Sequence, residues 1–274
     1  MNQVFVLVKH FREAGWVELQ RPYLDRYLTV PHTKLFAMEG LDRSSFRPDE
    51  VIVDVPLSPT EVAILSTDRL ADVALESASD DDWLLFLDSD AFPLADIRPL
   101  LETGSNLVAI QRRELGDFHP HPSFTLVRAG LWRDLKGTWV EGTWRTSGGQ
   151  DVTEMGGTLL SILRENAVDW TKLTRVNTRG FHPLWFGVYG LEGRAPFAYH
   201  HGAGSRVRVS RKDDPGRRLR WLRSVERTRW ALSEDRAKKL GLSLPDCWKA
   251  RPERINEAVW ASMTQDEEFW RVLL

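Results

Sequence analysis

The residues best placed to do chemistry lie in the decapeptide WLLFLDSDAF, residues 83–92. An apolar run there ends in two carboxylates, Asp88 and Asp90. Residues two apart on a strand point the same way, so both carboxylates can face one ligand while Ser89 faces the packing. Carboxylates this close repel each other unless a cation lies between them or one takes up a proton. The pattern predicts a site for a hard divalent ion, Mg²⁺ or Mn²⁺, that leaves positions for substrate phosphates. The alternative is a solvated turn after a core strand.

The segment LFLDSDAFP resembles the D-x-D region of the GT-A glycosyltransferases, in which this motif follows a hydrophobic strand and holds the metal of a nucleotide-diphospho-sugar. In that fold the motif comes after three strand-and-connection units, which the chain before Asp88 offers in order. The resemblance implies an α/β protein with a GT-A Rossmann-like fold, a mostly parallel central sheet and a helical C-terminal appendage. It implies a hexosyltransferase of the family 2-like kind, which moves a sugar from a nucleotide-diphospho-sugar to an acceptor hydroxyl with Mn²⁺ or Mg²⁺. Asp90 would bind the ion, and Asp88, beside Ser89, would contact the ribose or a metal-bound water.

The first 90 residues alternate strands and connections, as a parallel sheet requires. Strands are predicted at 4–8, 34–38, 51–55 and 83–87. The clearest helix follows Ser58, a candidate N-cap, with Pro59 at the first helical position and Glu61 completing a capping box. Beyond the D-x-D we predict helices at 96–102 and 129–135 and strands at 107–110 and 124–127.

Composition narrows the class of protein. The chain has 274 residues, 42% hydrophobic and 28% charged, which suits one substantial α/β domain with an appendage. A net charge of -2 provides no general basic field for nucleic acid, and one cysteine excludes an internal disulfide framework. The apolar run VFVLV is too short for a signal sequence, and nothing approaches the roughly 18 apolar residues of a membrane span. We expect a cytoplasmic protein.

Two histidines, His119 and His121, flank Pro120 in the middle of the chain. They could be metal ligands, but no third soft ligand is spaced nearby and zinc sites rarely rest on such a pair. We therefore expect these residues to form a rigid aromatic loop that covers a substrate, rather than a metal site.

The candidate catalytic base lies in the segment GGQDVTEMGGTLLSIL. Asp151 is expected to precede a helix, with Glu154 at its third position. One interpretation is a capping box in which both acids stabilise the helix N-terminus. The other comes from the resemblance, since inverting GT-A enzymes place an acid at a helix start under the acceptor hydroxyl. Such a carboxylate deprotonates the nucleophile, and we favour Asp151 slightly for that role.

A second candidate segment, FAYHHGAGSR, places two histidines after a short aromatic strand and before a Gly-Ala-Gly turn. Glycines there let the backbone approach a ligand closely. The resemblance implies that His200 or His201 completes the metal set with Asp90, and that Ser205 or Arg206 meets the diphosphate. Strand alternation makes the two histidines point to opposite sides, so which one ligates stays open.

Weaker signals concern the nucleotide and the sugar. Asp68 and Arg69 fall where the related enzymes place a nucleotide-contacting pair on the helix before the D-x-D. Trp185 and Tyr189 could stack on a sugar ring or pack in the core.

The composition changes near residue 213, so we expect a catalytic domain over 1–212 and a helical extension over 213–274 packed on it. The extension begins with an arginine-dense, tryptophan-containing amphipathic helix, and a second helical part covers 255–274. The basic helix either presents a solvated face, binds a partner or lies on an anionic membrane.

Two other classes of protein remain open. A haloacid-dehalogenase-like phosphatase would use the first Asp of D-x-D as nucleophile, but it wants Thr or Val where this chain has Phe92. A non-catalytic GT-A scaffold would bind the sugar nucleotide without turnover.

Overall fold

Four parallel strands form the first half of the fold in the computed structural model, which describes residues 2–11, 14–39, 41–54, 62–112, 118–146, 149–177, 185–202 and 252–273. The strands are β1 (Val4–Phe11), β2 (His32–Glu39), β3 (Glu50–Val53) and β4 (Trp83–Asp88). They lie in the order β3-β2-β1-β4 with parallel pairing throughout. Helix α1 (Ala14–Tyr27) follows β1, and α2 (Val62–Leu75) precedes β4. The chain reverses its direction of travel across the sheet between β1 and β4, and ligands of open α/β sheets bind outside the carboxyl ends of the strands at such a point.

The remaining elements extend this sheet with mainly antiparallel strands. They are β5 (Ala91–Pro93), α3 (Arg98–Leu101), β6 (Leu107–Arg112), β7 (His119–Arg128), α4 (Ala129–Leu135), β8 (Gly142–Arg145), β9 (Asp151–Glu154), α5 (Gly157–Glu165), β10 (Thr171–Arg175), β11 (Trp185–Gly190), β12 (Pro196–Gly202) and α6 (Pro252–Gln265). In the described part of the chain, ten strands form one sheet in the order β3-β2-β1-β4-β7-β6-β10-β11-β12-β5, and β8 pairs with β9 separately. Antiparallel pairing begins where β7 meets β4.

Both faces of the sheet are covered by apolar side chains. Along β4, Leu85 and its alternate neighbours pack in one core cluster with Leu24 of α1. Leu84 and Phe86 pack in the other cluster with Leu70 of α2. A strand buried on both faces needs a continuous apolar run, which is why WLLFL was recognisable in the sequence.

The predicted α/β class is confirmed, as are the predicted strands 4–8, 34–38 and 83–87, whereas the strand predicted at 51–55 is observed at Glu50–Val53. Helix 129–135 agrees residue for residue, and strands 107–110 and 124–127 lie within the longer β6 and β7. The capping box at Ser58 falls outside the described residues, where α2 is seen from Val62.

The prediction of a helix directly after Asp151 is wrong, because Asp151 and Glu154 lie on strand β9. This strand pairs antiparallel with β8, with Asp151 opposite Arg145. The helix begins instead at Gly157, after Gly156 with φ of 89°, a conformation that favours glycine. The capping-box interpretation is therefore wrong, since the backbone of D-V-T-E is engaged in a hairpin.

The chain divides into two compact units, Met1–Arg175 with Tyr189–His200, and Val176–Val188 with His201–Leu274. In the second unit, α6 and a 3-10 helix at Phe269–Leu273 occupy part of the helical region predicted at 255–274. The predicted boundary near residue 213 and the basic helix after it lie outside the described residues, so both stay predictions. Within the described ranges, no helix combines the length and the apolar character needed to span a bilayer.

Candidate metal centre

The D-x-D carboxylates sit on a short turn at the carboxyl end of β4. The strand ends at Asp88, Ser89 and Asp90 form the turn, and β5 resumes at Ala91. Strand β5 pairs antiparallel with β12, with Ala91 opposite His200. This register brings His200, which is remote from Asp90 in the chain, to the side of the turn.

His200 lies between the two carboxylates. Its Nε2 is 3.4 Å from Asp88 Oδ2 and 3.4 Å from Asp90 Oδ1. The side chain of Asp90 is 13% exposed and that of Asp88 40% exposed, whereas His200 is buried. One side of the site is therefore closed by protein, and Asp88 faces the more open side. His201, the next residue on β12, is also buried, and strand alternation directs its side chain to the opposite face.

The electrostatics of this group favour positive charge. Burial lowers the pKa of His200, but attraction to Asp90 and hydrogen bonds with Asp88 and Asp90 outweigh that effect and raise it to about 9. An imidazolium at this position compensates both carboxylates. The same demand for positive charge would be met by a divalent cation.

A second histidine, His121 of β7, approaches the same group. Its ring centroid is 5.8 Å from that of His200, and the possible ligand atoms of Asp88, His121 and His200 all lie within 4.8 Å of one another. Its Nδ1 lies 2.9 Å from Ser123 Oγ and accepts a hydrogen bond from the Ser123 backbone N–H at 3.2 Å. Burial first, then Arg112 and the two neighbouring histidines, hold the pKa of His121 well below its usual range.

The prediction of a loop around His119 and His121 is wrong, since both residues lie on strand β7. The strand includes prolines and is interrupted by a bulge, which hid its period from the sequence pattern. His119 is buried against Trp144, with ring centroids 4.8 Å apart. The structure thus separates the pair and brings His121 close to Asp88 and His200.

The turn is held from behind by Gln20 of α1. Its side-chain Nε2 donates to the carbonyl oxygens of Asp88, at 2.9 Å, and Ala91, at 2.7 Å. These two carbonyls bracket the turn that carries Asp90. Gln20 is buried, and its Oε1 has no hydrogen-bond partner among the described residues. No motif marked this residue in the sequence.

Another buried histidine, His10, lies at the carboxyl end of β1, one residue beyond Lys9, the partner of Asp88. It packs against Phe36 and Phe46 at 5.1 and 5.9 Å between ring centroids. Neither ring nitrogen has a hydrogen-bond partner in the described parts of the chain. Burial, with a smaller contribution from Arg21, lowers the pKa of His10 to about 3, so the ring is neutral at pH 7.

The predicted nucleotide pair on α2 has a different environment. Asp68 accepts hydrogen bonds from Thr138 Oγ1 at 2.6 Å and from the Trp139 backbone N–H at 2.9 Å. Burial is the largest effect on the pKa of Asp68 and raises it. Arg69 is exposed. These contacts tie α2 to the segment after α4, and a nucleotide role for the pair stays a prediction.

The other predicted site residues are dispersed. Asp151 is exposed, with Oδ1 3.7 Å from Arg145 Nη1, and Glu154 is half-buried. Tyr189 is part of the core, which confirms the packing alternative for that residue. The side chain of Trp185 and residues Ser205 and Arg206 lie outside what the structure describes.

The donor set fits a divalent metal ion. At metal–ligand distances of ~2.1 Å, neighbouring ligand atoms of an octahedral ion are ~3 Å apart and opposite ones ~4.2 Å. The 3.4 Å separations between His200 Nε2 and the two carboxylates fall between these values. His200 could therefore share one ion with either carboxylate after small movements of the side chains, and Asp88, His121 and His200 form a group whose ligand atoms all lie within 4.8 Å of one another.

No protein-family model matches the sequence, and no curated protein matches it at a significant level. Among solved structures, the chain is similar to the galactosyltransferase LgtC in complex with donor and acceptor sugar analogs, at 15% identity over 48% of this chain and 59% of that one, with a TM-score of 0.35. It is similar to the glycosyltransferase GlyE of Streptococcus pneumoniae TIGR4, at 14% identity over 63% and 46%, with a TM-score of 0.38.

A third similar structure is the mannosyltransferase PcManGT of Pyrobaculum calidifontis, in complex with GDP-Man and Mn²⁺, at 15% identity over 65% of this chain and 58% of that one, with a TM-score of 0.41. The chain thus spans between 46% and 59% of the length of these enzymes.

Proposed function

We propose that this protein is a metal-dependent glycosyltransferase that moves a sugar from a nucleotide-diphospho-sugar to an acceptor hydroxyl. The observation that carries the proposal is the convergence of Asp88, Asp90 and His200 at the carboxyl ends of the parallel strands. The Nε2 atom of an imidazole from a remote strand lies 3.4 Å from an oxygen of each of the two carboxylates on the turn. Ligands of α/β sheets bind at this edge.

Asp88, Asp90 and His200 would hold Mn²⁺ or Mg²⁺, which would stabilise the negative charge that develops on the departing nucleoside diphosphate. The chain's own contribution is to position these side chains. Gln20 fixes the backbone on both sides of the turn through two hydrogen bonds. The burial of His200 and the low exposure of Asp90 exclude water from the rear of the site. The more exposed Asp88 is left to face the donor.

Deprotonation of the acceptor is the second chemical requirement. A carboxylate within hydrogen-bond reach of the acceptor hydroxyl would accept its proton as the bond to the sugar forms. Asp151 is our candidate, with Glu154 as the alternative on the same strand. The exposure of Asp151 leaves its carboxylate accessible to an acceptor.

The charge-removing variant Asp90→Asn tests the proposal. We would measure binding of UDP-, GDP-, TDP- and CMP-sugars by calorimetry with and without Mn²⁺, including GDP-mannose because one similar structure holds it. We expect the parent to bind one class in a metal-dependent way and the variant to lose at least ~10-fold in that affinity. Transfer to an acceptor would then be followed with the donor that binds.

Asp72→Asn is the matched control, because Asp72 is exposed on α2. Both variants should melt within a few degrees of the parent. Unchanged Mn²⁺-dependent affinity in Asp90→Asn would show that the D-x-D does not hold the ion, and the proposed function would fail with it.

A further inference from the structure

The antiparallel strand next to the D-x-D carries a histidine in a position to bind the same ion. We propose that His121 is a fourth ligand, which makes the site a two-carboxylate, two-imidazole set that prefers Mn²⁺ or Co²⁺ to Mg²⁺. This inference rests on the proposed function, since it concerns the same metal centre. It identifies the residue that determines which class of metal the enzyme uses.

A bulge in β7 delivers His121 to the site. On the β6 side, Ala109 pairs with Thr125, but the next residue, Ile110, pairs with His121. Three residues of β7 thus lie between consecutive pairs, so the strand bends there. Pro122 supports the bulge because it has no N–H to donate to a ladder. Thr125 Oγ1 donates to the His121 carbonyl at 2.8 Å and fixes the backbone that carries the ring.

The same bulge places His121 beside the turn. Phe124 is the residue closest to the amino end of β7 that pairs with β4, and its partner Leu87 immediately precedes Asp88. The part of β7 before Phe124, which includes His121, therefore runs past the end of β4, where the D-x-D begins. The ligand atoms of Asp88, His121 and His200 lie within 4.8 Å of one another, so small side-chain movements would bring them within the ~4.2 Å span of opposite ligands on one ion.

Ser123 controls which nitrogen of His121 can bind a metal. Its hydroxyl lies 2.9 Å from Nδ1, and both residues are buried. When Nδ1–H donates to that hydroxyl, the lone pair of Nε2 is available to the ion, which is the usual arrangement of metal-bound histidines. The Ser123 backbone N–H, 3.2 Å from Nδ1, favours the other tautomer, in which Nε2 carries the proton. Metal binding would therefore select the first tautomer, and the serine hydroxyl makes that choice possible.

The composition of the set determines its preference. Mg²⁺ strongly prefers oxygen ligands, whereas imidazole suits the transition metals. A second imidazole should therefore raise affinity for Co²⁺ and Mn²⁺ and add little for Mg²⁺. Within the divalent series Co²⁺ should bind more tightly than Mn²⁺.

The test is direct metal titration of the full chain without nucleotide, by calorimetry with Mg²⁺, Mn²⁺ and Co²⁺. His121→Gln should weaken Mn²⁺ and Co²⁺ binding by ~10-fold to 100-fold, with a smaller change for Mg²⁺. His119→Gln is the matched control, because His119 is buried on the same strand and packs against Trp144. It should bind all three ions like the parent.

Parent affinity for Mn²⁺ and Co²⁺ in His121→Gln would overturn the inference and show that His121 is a neutral core histidine. If Asp90→Asn still lost Mn²⁺ in that case, the proposed function would stand. If neither His121→Gln nor Asp90→Asn weakened Mn²⁺ binding, both the inference and the proposed function would be wrong. If His121→Gln fails to fold, pulsed electron paramagnetic resonance of Mn²⁺ bound to the unmutated protein decides the question. Coupling to two imidazole nitrogens supports the inference, and coupling to one overturns it.

Discussion

Replacement of Gln20 should separate the positioning of the D-x-D turn from the stability of the fold. Gln20→Met keeps the approximate volume of the side chain and removes the amide that donates to the carbonyls of Asp88 and Ala91. Each lost hydrogen bond costs about 0.5–1.5 kcal/mol of net stability. The substitution also removes the buried Oε1, which has no hydrogen-bond partner among the described residues and costs about 1–3 kcal/mol as it stands. These effects oppose each other, so the free energy of unfolding should change by less than about 2 kcal/mol.

The effect on the metal centre should be larger. Without the amide, the segment between Asp88 and Ala91 loses the two contacts that set its spacing, and the separation of the two carboxylates is no longer fixed. Losses of supporting contacts around metal ligands are commonly about 10-fold to 100-fold in affinity. We expect Mn²⁺ affinity, measured by calorimetry, to fall in that range.

Gln3→Met is the control for Gln20→Met. Gln3 donates a side-chain hydrogen bond of 2.6 Å to Thr33 Oγ1, beside the amino end of β1 and away from the turn. It should leave Mn²⁺ affinity unchanged. If Gln20→Met and Gln3→Met bound Mn²⁺ equally well, the hydrogen bonds from α1 would have only a structural role and the positioning argument would be refuted.

Two further predictions concern buried groups near the sheet. His10 has a folded pKa of about 3 and an ordinary value of 6.5, so the unfolded chain takes up its proton first and stability falls as pH drops from 6.5 towards 3. Between pH 7 and 4 this effect lowers the free energy of unfolding by roughly 3 kcal/mol, at 1.36 kcal/mol per pKa unit. In urea unfolding at these two pH values, His10→Leu should show a loss of stability that is smaller than the parent's by that amount. The same loss in both proteins would contradict the prediction. Asp68→Ala should lower the free energy of unfolding by about 2–4 kcal/mol through its contacts with Thr138 and Trp139, whereas Asp72→Ala should not. Weaker binding of nucleotide-sugar by a folded Asp68→Ala protein, measured by calorimetry, would instead support the predicted nucleotide contact.

The sequence predicted those parts of the site that depend on local pattern. The run WLLFL identifies a strand buried on both faces, and the DSD that follows it places two carboxylates at the end of that strand. The resemblance alone led us to expect His200 or His201 near the carboxylates, without deciding between them, because pairing between β5 and β12 joins segments remote in the chain. Periodicity carries no information about such a pairing.

The local structure around His121 and Asp151, which sequence analysis assigned wrongly, depends on an irregular strand and on strand pairing. His121 reaches the carboxylates through a bulge, which breaks the period of two that marks a strand. Asp151 looked like a helix cap because D-x-x-E before an apolar run is a common signal. Pairing between β8 and β9 overrides that local preference, and only the folded hairpin shows it.

The electrostatics of the centre join the fold to the proposed chemistry. A buried imidazole ordinarily loses its proton, yet His200 holds its own up to a pKa of about 9 because two carboxylates face it. A divalent ion placed among the same three side chains would take over that compensation, and His200 would then have to release its proton to become a ligand. The elements that hold the turn, which are α1 through Gln20 and the pairing of β5 with β12, keep the carboxylates together in spite of their repulsion. The fold thus holds the two carboxylates and His200 together at the sheet edge, where a divalent ion that displaced the histidine proton could bind them.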